Sequence, residues 1–253
     1  DLNWQYSATY AEEGKKKEVV SYFDGSLRNR QTVTINNADE KAVIQENIYD
    51  GYGRGAATIL PAPTMADGPE NNRLKFFPAQ HKNAGGSVYS YSDLNTGICE
   101  VLPSIMDKNQ GAAFYYSDAN TTLASSAIKY QRYIPDAEGY PFSVTNYTND
   151  NTGRIRSQGG VGGIFQPGNG GPGLNSKTTK YYYAKPEQWE LDRIFGNDVG
   201  FAEHYKKNMV ADPNGNLSIS YVDASGKTIA TALTGIGPSN QDTLATRPPA
   251  HEQ

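Results

Sequence analysis

The sequence predicts a mainly β fold, an irregular antiparallel sheet built of β-hairpins, and three observations support this. The chain contains 18 Tyr against 8 Phe, and tyrosine favours pleated, half-buried surfaces. It also contains 26 Gly and 14 Pro, which are typical of many short strands joined by tight turns. Hydrophobic residues make up 37% of the chain. Because this share is low, the core must use aromatic as well as aliphatic side chains.

The first sixty residues alternate between strand-like runs and turn residues. Strands are predicted over 4–10, 17–23, 31–35, 42–49 and 56–60. Glycine, aspartate and asparagine stand between these runs, as in tight turns. The pattern predicts a meander in which each strand pairs with the next.

The remainder of the chain is less regular. Further strands are predicted over 74–77, 87–91, 113–116, 127–133, 181–183, 217–221 and 228–233. One or two short helices are predicted near 187–208. The first follows Pro186 and has Leu191, Ile194 and Phe195 on one face, and the second covers 199–208.

The distribution of glycine and proline suggests the domain organisation. Residues 1–234 are predicted to form one β-rich module, with a sub-boundary in the Gly-rich loop 153–179. A loop of this length is unusual inside a compact domain. Residues 235–253 are rich in proline and polar residues, and they are expected to be a flexible tail.

One short pattern recurs along the chain: tyrosine, aspartate, glycine and then a basic residue. It occurs as Tyr49, Asp50, Gly53 and Arg54; as Tyr147, Asp150, Gly153 and Arg154; and as Tyr221, Asp223, Gly226 and Lys227. A fourth relative, Tyr22-Phe23-Asp24-Gly25, lacks the later glycine.

The residue types in this pattern suit a hairpin turn. The tyrosine ends a strand and packs inward, and the aspartate accepts backbone N–H bonds two residues on. The glycine supplies a position with positive φ. The basic residue begins the return strand and can pair with the aspartate. A single hairpin is marginal in water, so such units should stack on others.

The pattern Tyr49-Asp50-x-x-Gly53-Arg54 resembles the YD motif of RHS/YD-repeat proteins. Further blocks resemble the leading segment of the repeat region in very large RHS-like proteins of Bacteroidota. They are 21–31, Leu60-Pro61-Ala62-Pro63, Tyr140-Pro141-Phe142, 150–156 and 195–200. Together these blocks span most of residues 4–235.

The resemblance implies a ribbon of β-strands that in relatives spirals into a hollow shell, which encloses a toxin or serves as a surface adhesin. This chain would form part of a wall, plug or cap of such an assembly. Its expected partners are neighbouring strands of the same long polypeptide or of a partner protein. Its expected location is extracellular or at the cell surface, and it is not expected to be an enzyme.

Composition argues against several other classes. The formal charge of −4 does not favour nucleic acid as a partner, because phosphate binding needs clustered positive charge. No apolar run approaches the roughly 20 residues of a membrane-spanning helix. The single cysteine, Cys99, cannot form an internal disulfide. The chain opens on Asp1 without a signal peptide, as expected of a mature or excised segment.

Two alternative functions stay open. Trp4, Trp189 and Tyr182 are candidates for stacking on sugar rings, which would make the chain a carbohydrate-binding surface module. A hydrolase is the second alternative, and a cleft with two close carboxylates would favour it. The sequence predicts no catalytic, cofactor-binding or metal-binding residue. The Gly168–Gly173 segment matches GxGxxG, but it lacks the strand and helix that a dinucleotide site needs.

Overall fold

The structure is a computed structural model that describes residues 3–36, 41–64, 73–95, 102–124, 130–168 and 176–235. These residues hold eleven β-strands and three short α-helices, so the predicted mainly β class is confirmed. The predicted tail 235–253 lies outside the described residues except for Gly235, and so does Cys99.

The strands and helices have the following bounds. The strands are β1 Asn3–Tyr10, β2 Lys16–Phe23, β3 Asn29–Asn36, β4 Ala42–Tyr49, β5 Gly55–Pro63, β6 Phe142–Tyr147, β7 Ile155–Gly159, β8 Thr179–Ala184, β9 Lys206–Ala211, β10 Leu217–Val222 and β11 Thr228–Leu233. The helices are α1 Tyr91–Leu94, α2 Gly111–Tyr115 and α3 Gln188–Phe195.

The eleven strands follow one another in the sheet in the order of the sequence. Neighbouring strands pair antiparallel from β1 to β6 and again from β8 to β11. Short turns suffice for such pairs. Two of these pairs are joined by long connections instead: the one from β5 to β6 carries α1 and α2, and the one from β8 to β9 carries α3.

Most of the predicted strands are confirmed. The five strands of the first sixty residues correspond to β1–β5, and 181–183, 217–221 and 228–233 correspond to β8, β10 and β11. Strand β5 continues through Pro61 to Pro63, beyond the predicted end at residue 60.

The chain divides into two compact units. Unit 1 comprises 1–146 and 158–176, and unit 2 comprises 147–157 and 177–253. Two of the passages between units therefore fall inside the Gly-rich stretch 153–179, where the sequence suggests a sub-boundary.

The core of unit 1 lies on one face of its strands. Ile44, Ile59 and Phe142 are fully buried, each with 0% of its surface exposed. The ring of Phe142 packs against Tyr89 and Tyr140 with centroid distances of 5.6 and 6.1 Å. The connection from β5 to β6 thus contributes to the core rather than forming a surface loop.

The strands predicted over 74–77, 87–91 and 113–116 are wrong. Residues 74–77 form no strand, and the Phe77 amide is hydrogen-bonded to the Gln31 side chain at 2.9 Å. Residues 113–116 belong to α2 or follow it directly, and α2 packs against β5. Burial of Ala112 and Ala113 therefore outweighs the strand propensity of the aromatic residues that follow them.

Residues 87–91 and 131–133 adopt other local structures than the predicted strands. Val88 makes one isolated bridge with Lys82, and α1 begins at Tyr91 because Ser90 and Asp93 form a capping box. In the predicted strand 127–133, residues 131–133 form a 3-10 helix, and residues 127–129 lie outside the described part of the chain.

In unit 2 the predicted first helix is confirmed as α3, which a capping box of Glu187 and Glu190 begins. The second helix, predicted over 199–208, is wrong. Residues 202–204 form a 3-10 helix and β9 starts at Lys206. Because β9 pairs with β8 on one side and β10 on the other, its backbone groups are satisfied by the sheet.

Candidate functional site

The turn between β4 and β5 contains the best match to the recurring pattern. The Asp50 carboxylate accepts hydrogen bonds from the backbone N–H groups of Tyr52 and Arg54, both at 2.9 Å. The Arg54 guanidinium binds the same carboxylate at 2.7 Å, and the Asp50 side chain is only 2% exposed. Two backbone bonds between positions 50 and 54 and positions 53 and 50 close the turn. Asp50 therefore organises the turn from inside.

The turn between β2 and β3 has the same geometry although it lacks the glycine. Asp24 accepts from the backbone of Ser26 and Arg28 at 2.8 and 3.1 Å, and Arg28 pairs with it at 2.7 Å. Leu27 stands where the glycine is expected, and it adopts a φ of 60°. The spacing of Asp24 and Arg28 is the feature that identifies this turn in the sequence.

These two turns contact each other. The Arg28 guanidinium lies over the Tyr49 ring at 5.0 Å, and the Tyr49 hydroxyl donates to the Asn29 carbonyl at 2.8 Å. A Cβ on Gly53 would come within 2.5 Å of the Arg28 side chain. A side chain at position 53 would therefore displace the Arg28 guanidinium, and the φ of 82° itself favours glycine there. The tyrosine, glycine and basic residues of the pattern therefore lock one hairpin onto the next.

The same five-residue turn occurs at three more places. Asp223 accepts from Ser225 and Lys227, both at 2.9 Å, and Asp212 accepts from Asn214 and Asn216 at 2.8 and 2.9 Å. Asn83 uses its amide oxygen in the same way. The Asp212 carboxylate thus binds the backbone of its own turn.

The segment from Tyr147 to Arg154 forms a longer variant of the turn. Asp150 accepts from the hydroxyls of Thr148 and Thr152, both at 2.6 Å, and from Arg154 at 2.5 Å. These bonds, first those from the two hydroxyls, hold the pKa of Asp150 well below its ordinary value. Arg154 also lies over the Tyr183 ring at 4.7 Å, so this turn too contacts an aromatic residue of its unit.

The tyrosines of the pattern are buried to different degrees. Tyr221 is 4% exposed, whereas Tyr49 and Tyr147 are half-buried. Gly226 has a φ of 87° with open space around it, and Gly153 has a φ of 73°. The inward packing of the tyrosine is therefore most complete in the β10–β11 hairpin.

A substitution at the fourth turn position tests the backbone requirement. A non-glycine residue with left-handed backbone costs about 1–2 kcal/mol, and Leu27 is 70% exposed. Leu27→Gly should therefore raise the free energy of unfolding by about 0.5–1 kcal/mol after the entropy cost of glycine. Gly226→Ala, at the equivalent position with no steric clash, should lower it by about 1 kcal/mol. Urea titration measures both; equal signs would contradict the shared turn geometry.

The candidates for glycan stacking are all partly exposed. Trp4 on β1 in unit 1 is 66% exposed, and Tyr182 on β8 and Trp189 on α3 in unit 2 are 45% and 47% exposed. Trp4 shares one face of β1 with Tyr6 and Tyr10, which are 44% and 73% exposed. Sequence analysis does not single out Tyr6 and Tyr10. Their spacing could have done so, because Tyr6 lies two residues after Trp4 and Tyr10 four residues after Tyr6, which puts all three on one face of a strand.

One cavity of about 310 Å³ is lined by residues of unit 1. It contains two acidic residues, Asp136 and Glu138, among mainly apolar neighbours that include Leu60 and Phe165. The Asp136 carboxylate accepts from the Glu138 amide at 2.7 Å, and the Glu138 carboxylate accepts from the Gly163 amide at 3.2 Å. Both carboxylates thus support the loops that form the wall.

A buried polar cluster connects β3, β4 and the start of α2. His81 is 2% exposed, and its Nδ1 accepts from the Ala112 amide at 3.3 Å. Its Nε2 lies 3.5 Å from Glu46, whose side chain is 19% exposed and accepts from Gln31. Burial raises the pKa of Glu46 to about 7 and lowers the pKa of His81 to about 3. The sequence offers no pattern that brings these residues together.

The contributions of Glu46 and His81 to the free energy of unfolding should depend on pH in opposite ways. The raised pKa of Glu46 contributes stability that is full below its ordinary pKa of 4.5 and is lost as pH rises through about 7. The lowered pKa of His81 contributes stability that is present above 6.5 and is lost as pH falls toward 3. Between pH 4.5 and 6.5 the two contributions change in opposite directions.

Glu46→Gln removes one of these contributions. Relative to the native protein, its free energy of unfolding should rise by about 3 kcal/mol between pH 4.5 and 7. Urea unfolding at half-unit pH steps measures this, with the exposed residue Glu12 changed to glutamine as the control. Parallel profiles for Glu46→Gln and the native protein would contradict the protonated state of Glu46.

One protein-family model matches part of the chain. Residues 3–98 match the family model described as Domain of unknown function (DUF6443), which is not a model of RHS or YD repeats. No curated protein matches the chain. The matched range contains β1–β5 and α1, and with them the two interlocked turns at Asp24 and Asp50.

Two classes of site are not found among the described residues. That part of the chain holds no cluster of three or more His, Cys, Asp or Glu side chains that could bind a metal ion. No helix in it combines the length and the apolar character that crossing a membrane requires.

Proposed function

We propose that this chain is a structural β-module of a large secreted protein of the RHS/YD-repeat type, where it contributes to a shell, cap or surface assembly. The observation that carries the proposal is the interlock between the Asp24 and Asp50 turns. A turn that only reverses the chain needs no contact with the next turn. Here the basic residue of one turn packs on the tyrosine that precedes the other.

Repetition supports the same function. The five-residue turn joins β2 to β3, β4 to β5, β9 to β10 and β10 to β11. Each of these turns places the next strand beside the previous one, so a series of them extends the sheet in one direction. A wall made of many hairpins needs this kind of unit, because each hairpin is stable only against its neighbours.

The two edge strands of the sheet, β1 and β11, support the expectation that further strands pair with this chain. Within the described residues β1 is paired with β2 alone, and β11 is paired with β10 alone. The free edge of a strand presents unpaired N–H and C=O groups that can accept a further strand. Neighbouring strands of the same long polypeptide, or of a partner protein at the cell surface, would supply it.

Hydrogen exchange of the edge strands tests the proposal. Backbone amides on the outer edges of β1 and β11 should exchange fast in the isolated chain, kept monomeric at about 1 μM, and at least tenfold more slowly in the full-length protein. Amides of β3, which is paired on both sides, serve as the control and should be protected in both. Equal exchange of β1 and β11 in the two proteins would overturn the proposal. Protease treatment of intact cells separately tests exposure at the surface.

Carbohydrate binding is the second candidate function, and the row of exposed aromatics on β1 favours it. A Trp and two Tyr on one strand face could stack on sugar rings. On this hypothesis Trp4→Ala lowers affinity for a bound glycan at least tenfold, and Trp189→Ala reports on unit 2. A glycan array without any binding to the native chain would remove this candidate.

A further inference from the structure

Strand β1 lacks the features that protect a sheet edge. Its eight residues, Asn3–Tyr10, include no charged residue, no proline and no glycine. Its register with β2 is continuous from Asn3 opposite Phe23 to Tyr10 opposite Lys16, without a bulge. Natural edge strands are usually protected by charges, prolines or bulges. The outer edge of β1 is therefore suited to pairing with another strand.

The face of β1 that carries Trp4, Tyr6 and Tyr10 continues the buried face of the sheet. Tyr6 lies opposite Val20 of β2, which in turn lies opposite Val33 of β3. Val33 is fully buried and Val20 is 5% exposed, but Tyr6 is 44% exposed. The apolar face thus runs out to β1 and stays uncovered there.

The segment that contains Leu74 and Phe76 covers this face of the sheet as far as β2. The Tyr22 hydroxyl donates to the Leu74 carbonyl at 2.6 Å, and the Tyr22 ring contacts Phe76 with 5.5 Å between centroids. At the other end of β2, Lys16 pairs with Glu18 at 2.9 Å, and the Glu18 carboxylate also accepts from the Tyr6 hydroxyl at 2.7 Å. The two charges of β2 that border the aromatic row therefore offset each other.

The sequence of β1 is complementary to itself in antiparallel orientation. When Ser7 of one copy lies opposite Ser7 of another, Tyr6 faces the small Ala8 and Trp4 faces Tyr10. All aromatic residues then fall on the same face, and polar residues meet on the other: Gln5 lies opposite Thr9. Pairs of large with small residues and of two aromatics stabilise antiparallel strands.

We propose that two copies of this chain associate through β1, antiparallel and in the register that places Ser7 opposite Ser7. The contact extends the sheet across the two copies and places their aromatic rows side by side on one face. The inference deepens the proposed function and rests on it in one respect, that β1 is an edge that accepts a further strand. It commits to a second copy because β1 matches itself in both shape and lack of charge.

The size of the contact sets the expected affinity. The exposed parts of Trp4, Tyr6 and Tyr10 amount to at most roughly 460 Å² per copy. With the strand backbones, the interface lies near the lower limit of about 1,200 Å² for stable complexes. Association with a dissociation constant of about 10 μM or weaker is therefore expected.

Introducing a charge at position 7 tests the proposed register. Sedimentation velocity of the native chain from about 5 to 500 μM should show a monomer–dimer equilibrium. Ser7→Lys and Ser7→Asp should each weaken the dimer at least tenfold, because like charges then lie directly opposite each other. An equimolar mixture of the two variants should restore dimers, since opposite charges meet. Circular dichroism confirms that each variant is folded.

The control is Ser92→Lys, which adds the same charge to an exposed residue of α1 and should leave the equilibrium unchanged. A native chain that stays monomeric throughout would overturn the proposal, as would a dimer that the Ser7 variants do not affect. Failure of the mixture to dimerise would overturn it as well. None of these results bears on hydrogen exchange in the full-length protein, so the proposed function is judged separately.

Discussion

Replacing Asp50 with alanine should lower the free energy of unfolding by about 3–4 kcal/mol. The change leaves the guanidinium of Arg54, which is only 25% exposed, without its carboxylate, and it leaves two backbone N–H groups without their acceptor. Loss of one partner from a largely buried ion pair costs about 3–5 kcal/mol. Urea titration with circular dichroism detection measures the change.

Asp24→Ala is the matched control for this prediction. It removes the same kinds of hydrogen bond from the same turn, but Asp24 and Arg28 are 19% and 33% exposed. Water can then replace part of what is lost, and a decrease of about 1–2 kcal/mol is expected. A larger effect at Asp24 than at Asp50 would contradict the role of burial in this turn.

Phe142→Ala should have the largest effect on stability, a decrease of about 4 kcal/mol. The side chain is fully buried, and its removal leaves a cavity between Tyr89 and Tyr140 in addition to the lost transfer free energy. Phe142→Leu should recover more than half of the loss because it refills much of the space. Chemical denaturation monitored by tyrosine fluorescence measures both variants.

Tyr130→Ala provides the comparison for Phe142→Ala, because Tyr130 is 83% exposed. It should change the free energy of unfolding by less than about 0.5 kcal/mol. Similar losses for Phe142→Ala and Tyr130→Ala would mean that β6 does not pack on the rest of unit 1 in solution.

The hairpins of the first sixty residues could be predicted because two local signals agree there. Residues 31–35 of β3 alternate between polar and apolar, and Asp50 and Gly53 have the side chain and backbone freedom that the next turn needs. Such agreement between pattern and turn chemistry fixes both the strands and their register. The turn at Asp24 matches the pattern only in part, because Leu27 stands where the pattern has glycine.

The connection between β5 and β6 could not be predicted in the same way. Ala113–Tyr116 has strand propensity, yet its small residues are buried against β5 as part of α2. That contact joins residues about fifty positions apart in the sequence, so no local pattern predicts it. The same holds for Glu46 and His81, whose proximity depends on the path of the chain between them.

The order of the strands has a consequence for how such a protein can change in evolution. In β1–β5 each strand is bonded only to the strands just before and after it in the sequence. One hairpin with its turn can therefore be duplicated or deleted in the gene without rethreading the chain. The aspartate turn, with its contact to the turn beside it, supplies a joint of constant geometry for each insertion. Sheets of different length can thus arise by repetition of one short segment of the gene.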